Sequence, residues 1–140
     1  MKYLFLFVLV LTFFAPFTFA QRDSTSDDFK TVFTKVEREA KFPGGPQAWS
    51  KFVSKNLNPN TAVDAGARPG VYTVTAQFIV NKDGKIGNIS FVEIPKKCKP
   101  CAIEVARVLR LSPDWEPAFQ DNGNVLYHVK QSVSFQVGKE

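Results

Sequence analysis

Residues 125–137 read Val-Leu-Tyr-His-Val-Lys-Gln-Ser-Val-Ser-Phe-Gln-Val. The odd positions Val125, Tyr127, Val129, Val133, Phe135 and Val137 are apolar or aromatic, with Gln131 breaking the series. The even positions His128, Lys130, Ser132, Ser134 and Gln136 are polar, with Leu126 as the exception. Side chains of a strand alternate faces, so this is a long strand with one face on a core and the other in water. It closes the chain, and the elements before it must supply the layer that covers its apolar face. A terminal strand is also a candidate sheet edge, and an edge offers unpaired backbone donors and acceptors.

Working back from this strand, Asp121-Asn122-Gly123 is a turn. Trp115 between Pro113 and Pro117 reads as a core anchor rather than a ligand platform. From Pro100-Cys101 to Leu111 the spacing predicts a helix with Ala102, Val105, Ala106 and Leu109 on its apolar stripe and Glu104 and Arg107 paired outside. Ser112-Pro113 ends it. Residues 71–80 alternate, with Tyr72, Val74, Ala76, Phe78 and Val80 on one side. Asn81-Lys82-Asp83-Gly84 is a hairpin turn and residues 85–94 are the returning strand. Residues 61–70 read as a loop. A first helix carries Trp49, Phe52, Val53 and Leu57 at i, i+3, i+4, i+8, opened by Pro46 and stopped by Asn58-Pro59-Asn60. Residues 31–41 read as a short strand or as an arm lying on the domain. The expected fold is α+β: a two-layer sandwich of a three-stranded, largely antiparallel sheet with two helices on one face.

The chain has 140 residues, enough for one domain and a leader. Lys2, the almost unbroken apolar run at residues 3–14 and the small-residue exit Thr18-Phe19-Ala20 make residues 1–20 a signal peptide. An uncleaved membrane anchor is the alternative. Residues 21–30 are polar, and 21–32 read as a disordered leader, which leaves 33–140 as the folded domain. The formal net charge is +5, one unit of it from Lys2. The bases are scattered apart from Lys96, Lys97 and Lys99, a pattern of solubility or of an acidic neighbour rather than of nucleic-acid binding.

Little in the chain carries catalytic chemistry. Cys98-Lys99-Pro100-Cys101 follows a strand and opens a helix, as a thioredoxin-like redox pair would. Only 39 residues follow Cys101, too few for the rest of that fold, and no Trp stands directly before Cys98. The competing readings are a small structural disulfide and a pair of partly buried thiols. Zinc needs about four ligands, and two Cys with the single His128 fall short, so neither a metal nor a cofactor is expected. His128 reads as a surface residue. No enzyme is expected.

Taken in order, these residues resemble the TonB C-terminal domain family over about residues 33–137. The resemblance rests on Phe42-Pro43-Gly44-Gly45 and Pro59-Asn60-Thr61-Ala62 around the first helix. It continues in Gly70-Val71-Tyr72-Thr73-Val74 and in Gln77-Phe78-Ile79-Val80-Asn81-Lys82-Asp83-Gly84-Lys85-Ile86. It closes with Glu104-Val105-Ala106-Arg107, Pro113-Asp114-Trp115-Glu116-Pro117, Gly123-Asn124-Val125 and Val133-Ser134-Phe135-Gln136-Val137. No single piece is specific; the ordered set is. Asn58 departs from it, standing where the family usually has Tyr.

The resemblance implies a TonB/TolA C-terminal-like fold and a binding role in TonB-dependent transmembrane transport. The partner would be an extended, TonB-box-like segment of an outer-membrane receptor, added beside the last strand by β-augmentation. The implied edge comprises Tyr127, His128, Val129, Lys130, Gln131, Val133 and Phe135, with His128, Lys130 and Gln131 choosing the partner. The same edge is open to other occupants, a second copy in a homodimer or the arm at residues 31–41. Residues 21–35 span at most about 50 Å at ~3.3 Å per residue, too short to cross a periplasm. The expectation is therefore a periplasmic binding module rather than an energy transducer. Proton-channel partners in the inner membrane enter only if the N-terminus is retained there as an anchor. The alternatives are an exported thiol–disulfide protein using Cys98 and Cys101, and a structural homodimer paired through the last strand.

Overall fold

The computed structural model describes residues 31–139. The expected signal peptide at 1–20, and all but the last two residues of the expected leader at 21–32, lie outside the described residues. The chain order is β1 (Val32–Phe33), α1 (Gly45–Asn56), α2 (Thr61–Asp64), β2 (Gly70–Val80), β3 (Ile86–Glu93), α3 (Lys99–Leu111), β4 (Ala118–Gln120) and β5 (Gly123–Val137). The sheet runs β1-β5-β2-β3, with β4 paired to β5. The class is α+β, but three expected strands become five and two expected helices become three. The additions to that count are β1, which falls within residues 31–41 read as a short strand or an arm, and β4 and α2; they have two, three and four residues. Segments that short complete no hydrophobic period, so alternation cannot reveal them. The pairs β2–β3, β2–β5 and β4–β5 are antiparallel; β1 runs parallel to β5.

The long elements follow from their periods. On β2, Val74, Ala76, Phe78 and Val80 are fully buried, and on β5 Tyr127, Val129, Val133 and Phe135 are buried. These inward faces meet Trp49 of α1, Ala62 of α2 and Cys101, Ala102, Val105 and Leu109 of α3 in one core. Gln131, the polar break on the inward face, stands opposite Ala76, whose small side chain leaves it room. On the other face, cross-strand hydroxyl pairs Thr73–Ser134 and Thr75–Ser132, at 2.9 and 3.0 Å, tie β2 to β5. Leu126, the apolar exception on that face, is buried beside Val32 of β1 and Ile79 of β2.

An aromatic cluster closes one end of the core. Phe42 reaches it because Gly44 and Gly45 both adopt positive φ, which turns the chain sharply into α1. Trp115 stands 5.6 Å from Phe42, 5.6 Å from Trp49 and 5.1 Å from Phe78, ring centre to ring centre. Its indole N–H donates to Ser112 Oγ at 3.1 Å. Its backbone N–H donates to the Gly84 carbonyl at 2.8 Å, so the tip of the β2–β3 hairpin is fastened to the segment after α3. The arm at residues 37–41 lies antiparallel along the same segment. Arg38 exchanges backbone hydrogen bonds with Phe119, and Lys41 with Glu116.

Gly84 combines a φ of +87° with a contact that excludes a side chain, since a Cβ there would lie 2.2 Å from the Trp115 carbonyl oxygen. Gly84→Ala should lower stability in urea unfolding by at least about 2 kcal/mol. Gly123→Ala, where a Cβ meets nothing within 4 Å, should move the midpoint little. Equal midpoints for the two variants would remove Gly84 from its structural role.

Candidate functional site

β5 is fifteen residues long and is bordered unequally. On one side β2 pairs with it from Tyr127 to Val137. On the other side β1 takes Leu126 and Tyr127, and β4 pairs with Gly123 to Val125, before the pairing with β2 begins. After Phe33 the arm leaves β5 and turns to run along β4. The turn is held by the Arg38–Phe119 pair and by the Glu37 N–H, which donates to Gln120 Oε1 at 3.0 Å. Beyond Tyr127, no strand and no loop backbone hydrogen bond among the described residues occupies that side of β5. Residues 128–137 are thus an open edge. Of the two coverings expected from the sequence, the arm reaches only Leu126 and Tyr127.

Each expected edge residue now has a place. Tyr127 faces the core, and its edge position is taken by Phe33. Its hydroxyl titrates above the ordinary value of 10 because burial disfavours the phenolate and the Glu39 carboxylate opposes it further. Val129, Val133 and Phe135 also point into the core, and their backbones pair with Phe78, Val74 and Tyr72 of β2, so the edge-facing backbone groups belong to the alternate residues between them. Lys130 is exposed, while Gln131 and His128 are half-buried. His128 is not the free surface residue expected, since its Nδ1 is buried and has no hydrogen-bond partner. Next to it, Leu126, Val32, Ile79, Asn81, Gly87 and Asn88 line a cleft of about 380 Å³ on the outer face of the sheet. Sequence reading missed that cleft, whose only hint was Leu126 in a polar register.

The cysteine pair lies elsewhere. Cys98 and Cys101 form a disulfide across the start of α3, with Cα atoms 5.3 Å apart, and both residues have no exposed surface. Farther along α3, Glu104 accepts from Arg107 Nε at 2.8 Å and Nη2 at 2.6 Å, and from the Asn58 N–H at 2.8 Å. Arg107 Nη2 also donates to the Asn56 carbonyl at 2.6 Å. The pair is therefore a clamp on the C-terminal end of α1 and not a surface ornament of α3. The Arg107 hydrogen bonds hold the Glu104 carboxyl below its ordinary value of 4.5, against the opposing pull of burial. Among the described residues, no helix is long and apolar enough to cross a membrane.

Compared with models of known protein families and with curated proteins, the chain matches none.

Two outcomes follow from this geometry. Replacing both Cys98 and Cys101 by Ala should lower stability by about 2 kcal/mol, the chain-entropy value for so short a loop. Reduced wild-type protein should react with a thiol reagent only on unfolding, and rapid labelling of the folded state would contradict the burial. Glu104→Gln should cost about 1 kcal/mol at neutral pH. The folded carboxyl is more acidic than the unfolded one, so its contribution is complete above pH 4.5 and fades as pH falls through the lower folded value. Urea titrations of both proteins should therefore converge in acid, and a constant gap across pH would exclude the ionised carboxylate as the cause.

Proposed function

We propose that this chain is a TonB C-terminal-like binding module that docks an extended peptide segment of an outer-membrane receptor beside β5. The observation that carries the reading is the open edge at residues 128–137, beginning where β1 departs. Strand addition draws affinity from main-chain hydrogen bonds and selectivity from alternate side chains. Exposed Lys130 and the half-buried His128 and Gln131 supply the second. The cleft beside Leu126 can take one side chain of the docked segment, and a donor on that segment would complete the buried His128 Nδ1. In this reading the protein works in the periplasm, exported by residues 1–20, and contributes binding within TonB-dependent transport rather than catalysis.

Complete burial of Cys98 and Cys101 supports the binding reading over thiol–disulfide exchange, because exchange requires a thiolate to reach a sulfur. A homodimer would use the same edge and would appear as a concentration-dependent loss of the monomer in ultracentrifugation.

Amide hydrogen exchange tests the proposal with synthetic peptides copied from the periplasmic N-terminal segments of outer-membrane receptors of the same organism. A binding peptide should protect alternate amides within residues 128–137 and leave the β2–β3 pairing unchanged. The same peptide with its backbone N–H groups methylated should lose at least about tenfold in affinity, one missing hydrogen bond being worth about 1–1.5 kcal/mol. Peptides that bind without protecting β5, or a full receptor set that leaves β5 unprotected, would remove the edge from this role.

A further inference from the structure

Residues 96–111 carry five bases, Lys96, Lys97, Lys99, Arg107 and Arg110, against the single acid Glu104. All five bases are exposed; Arg107 is ion-paired with Glu104, which leaves Lys96, Lys97, Lys99 and Arg110 without an acid in this stretch. At 100° per residue, Lys99, Arg110, Ile103 and Arg107 fall within an arc of about 80° on α3. This arc lies opposite the stripe that α3 buries in the core. Ile103 sits inside the arc and is 72% exposed, the most exposed of the large hydrophobic side chains described.

Stability does not account for this pattern. Cations near a helix N-terminus oppose the positive end of the macrodipole, and the first turn of α3 holds no acidic residue to offset Lys96, Lys97 and Lys99. Leaving Ile103 in water forgoes the gain of burying it. The Cys98–Cys101 disulfide closes the same turn and fixes the backbone that carries Lys99. A rule of helix construction is broken here and braced covalently, which is what a binding surface looks like in physical terms.

We propose that this face of α3, with the loop before it, docks on an anionic phospholipid bilayer. Lys96, Lys97, Lys99 and Arg110 meet headgroup phosphates and Ile103 enters the interface. Charge complementarity selects a polyanion, and Ile103 at the centre of the charge favours a bilayer, whose interface offers it an apolar layer beneath the phosphates. No residue of β5 belongs to this face, so the inference stands apart from the docking edge.

Vesicle flotation of the full chain tests it, using phosphatidylcholine vesicles with and without one-third phosphatidylglycerol, at low and high salt. The quantity read is the ratio of partitioning into anionic over neutral vesicles. The apolar residues 3–14 are common to every variant and to both vesicle types, so their effect divides out. Each lysine is worth about fivefold at an anionic surface, so Lys96→Gln, Lys97→Gln and Lys99→Gln together should lower the ratio by roughly 100-fold. High salt should lower it as well. Ile103→Asn, at a position too exposed to unsettle the fold, should weaken anionic binding severalfold with the charge unchanged. A ratio that the triple variant leaves unaltered overturns the proposal. Inorganic polyphosphate that binds as tightly as the vesicles, with Ile103→Asn without effect, overturns it too and redirects the face to an acidic macromolecule.

Discussion

Four separate segments meet at Trp115, and they meet because Gly84 has no side chain. The Gly84 carbonyl accepts the Trp115 N–H at 2.8 Å, and the backbone of residue 115 passes too close to residue 84 for any Cβ. That approach brings the indole over Phe78 of β2 and against Phe42 and Trp49. The hairpin tip, the arm, α1 and the connection after α3 are then fixed relative to one another. The two prolines around Trp115 limit the conformations open to its segment before folding, so less entropy is lost in forming the contact. With this corner set, the arm lies along residues 116–121, and its route decides how much of β5 it can cover.

The treatment of β5 follows from that route. The arm pairs with two residues of β5 and is then drawn off by Arg38 and Lys41, whose backbones pair with Phe119 and Glu116. Exposed sheet edges invite uncontrolled pairing and are commonly blunted by charge. Here Lys130 is exposed near the start of the bare stretch, and the outward positions Ser132, Ser134 and Gln136 are polar. Those side chains leave the backbone groups available and discourage stacking through an apolar face. The edge is therefore open in its hydrogen bonds and guarded in its side chains.

Much of this fold is legible in the sequence, because the long elements repeat their pattern several times. β2 and β5 are eleven and fifteen residues long and alternate over most of their length, and α3 presents four expected stripe residues that are all buried. Elements of two to four residues repeat nothing, and β1, α2 and β4 exist because remote segments supply their partners. The Glu104–Arg107 pair shows the same limit. Its i, i+3 spacing announces the pair, yet its hold on Asn56 and Asn58 depends on how α1 lies against α3. The candidate site divides likewise. That β5 is a strand can be read from alternation, whereas the extent of its bare edge depends on where the arm turns away.

The two-residue pairing of β1 with β5 has a consequence for anything added to this sheet. Phe33 fills the position beside Tyr127, so a strand laid on the edge cannot slide past it. The space left runs along residues 128–137, about 33 Å at ~3.3 Å per residue. It is closed at one end by Phe33 and bounded at the other by the end of the strand at Val137. Side chains on a strand change face with every single-residue slip. A fixed stop at one end would thus give a docked strand a starting point for its register, with β1 as the origin of a molecular ruler.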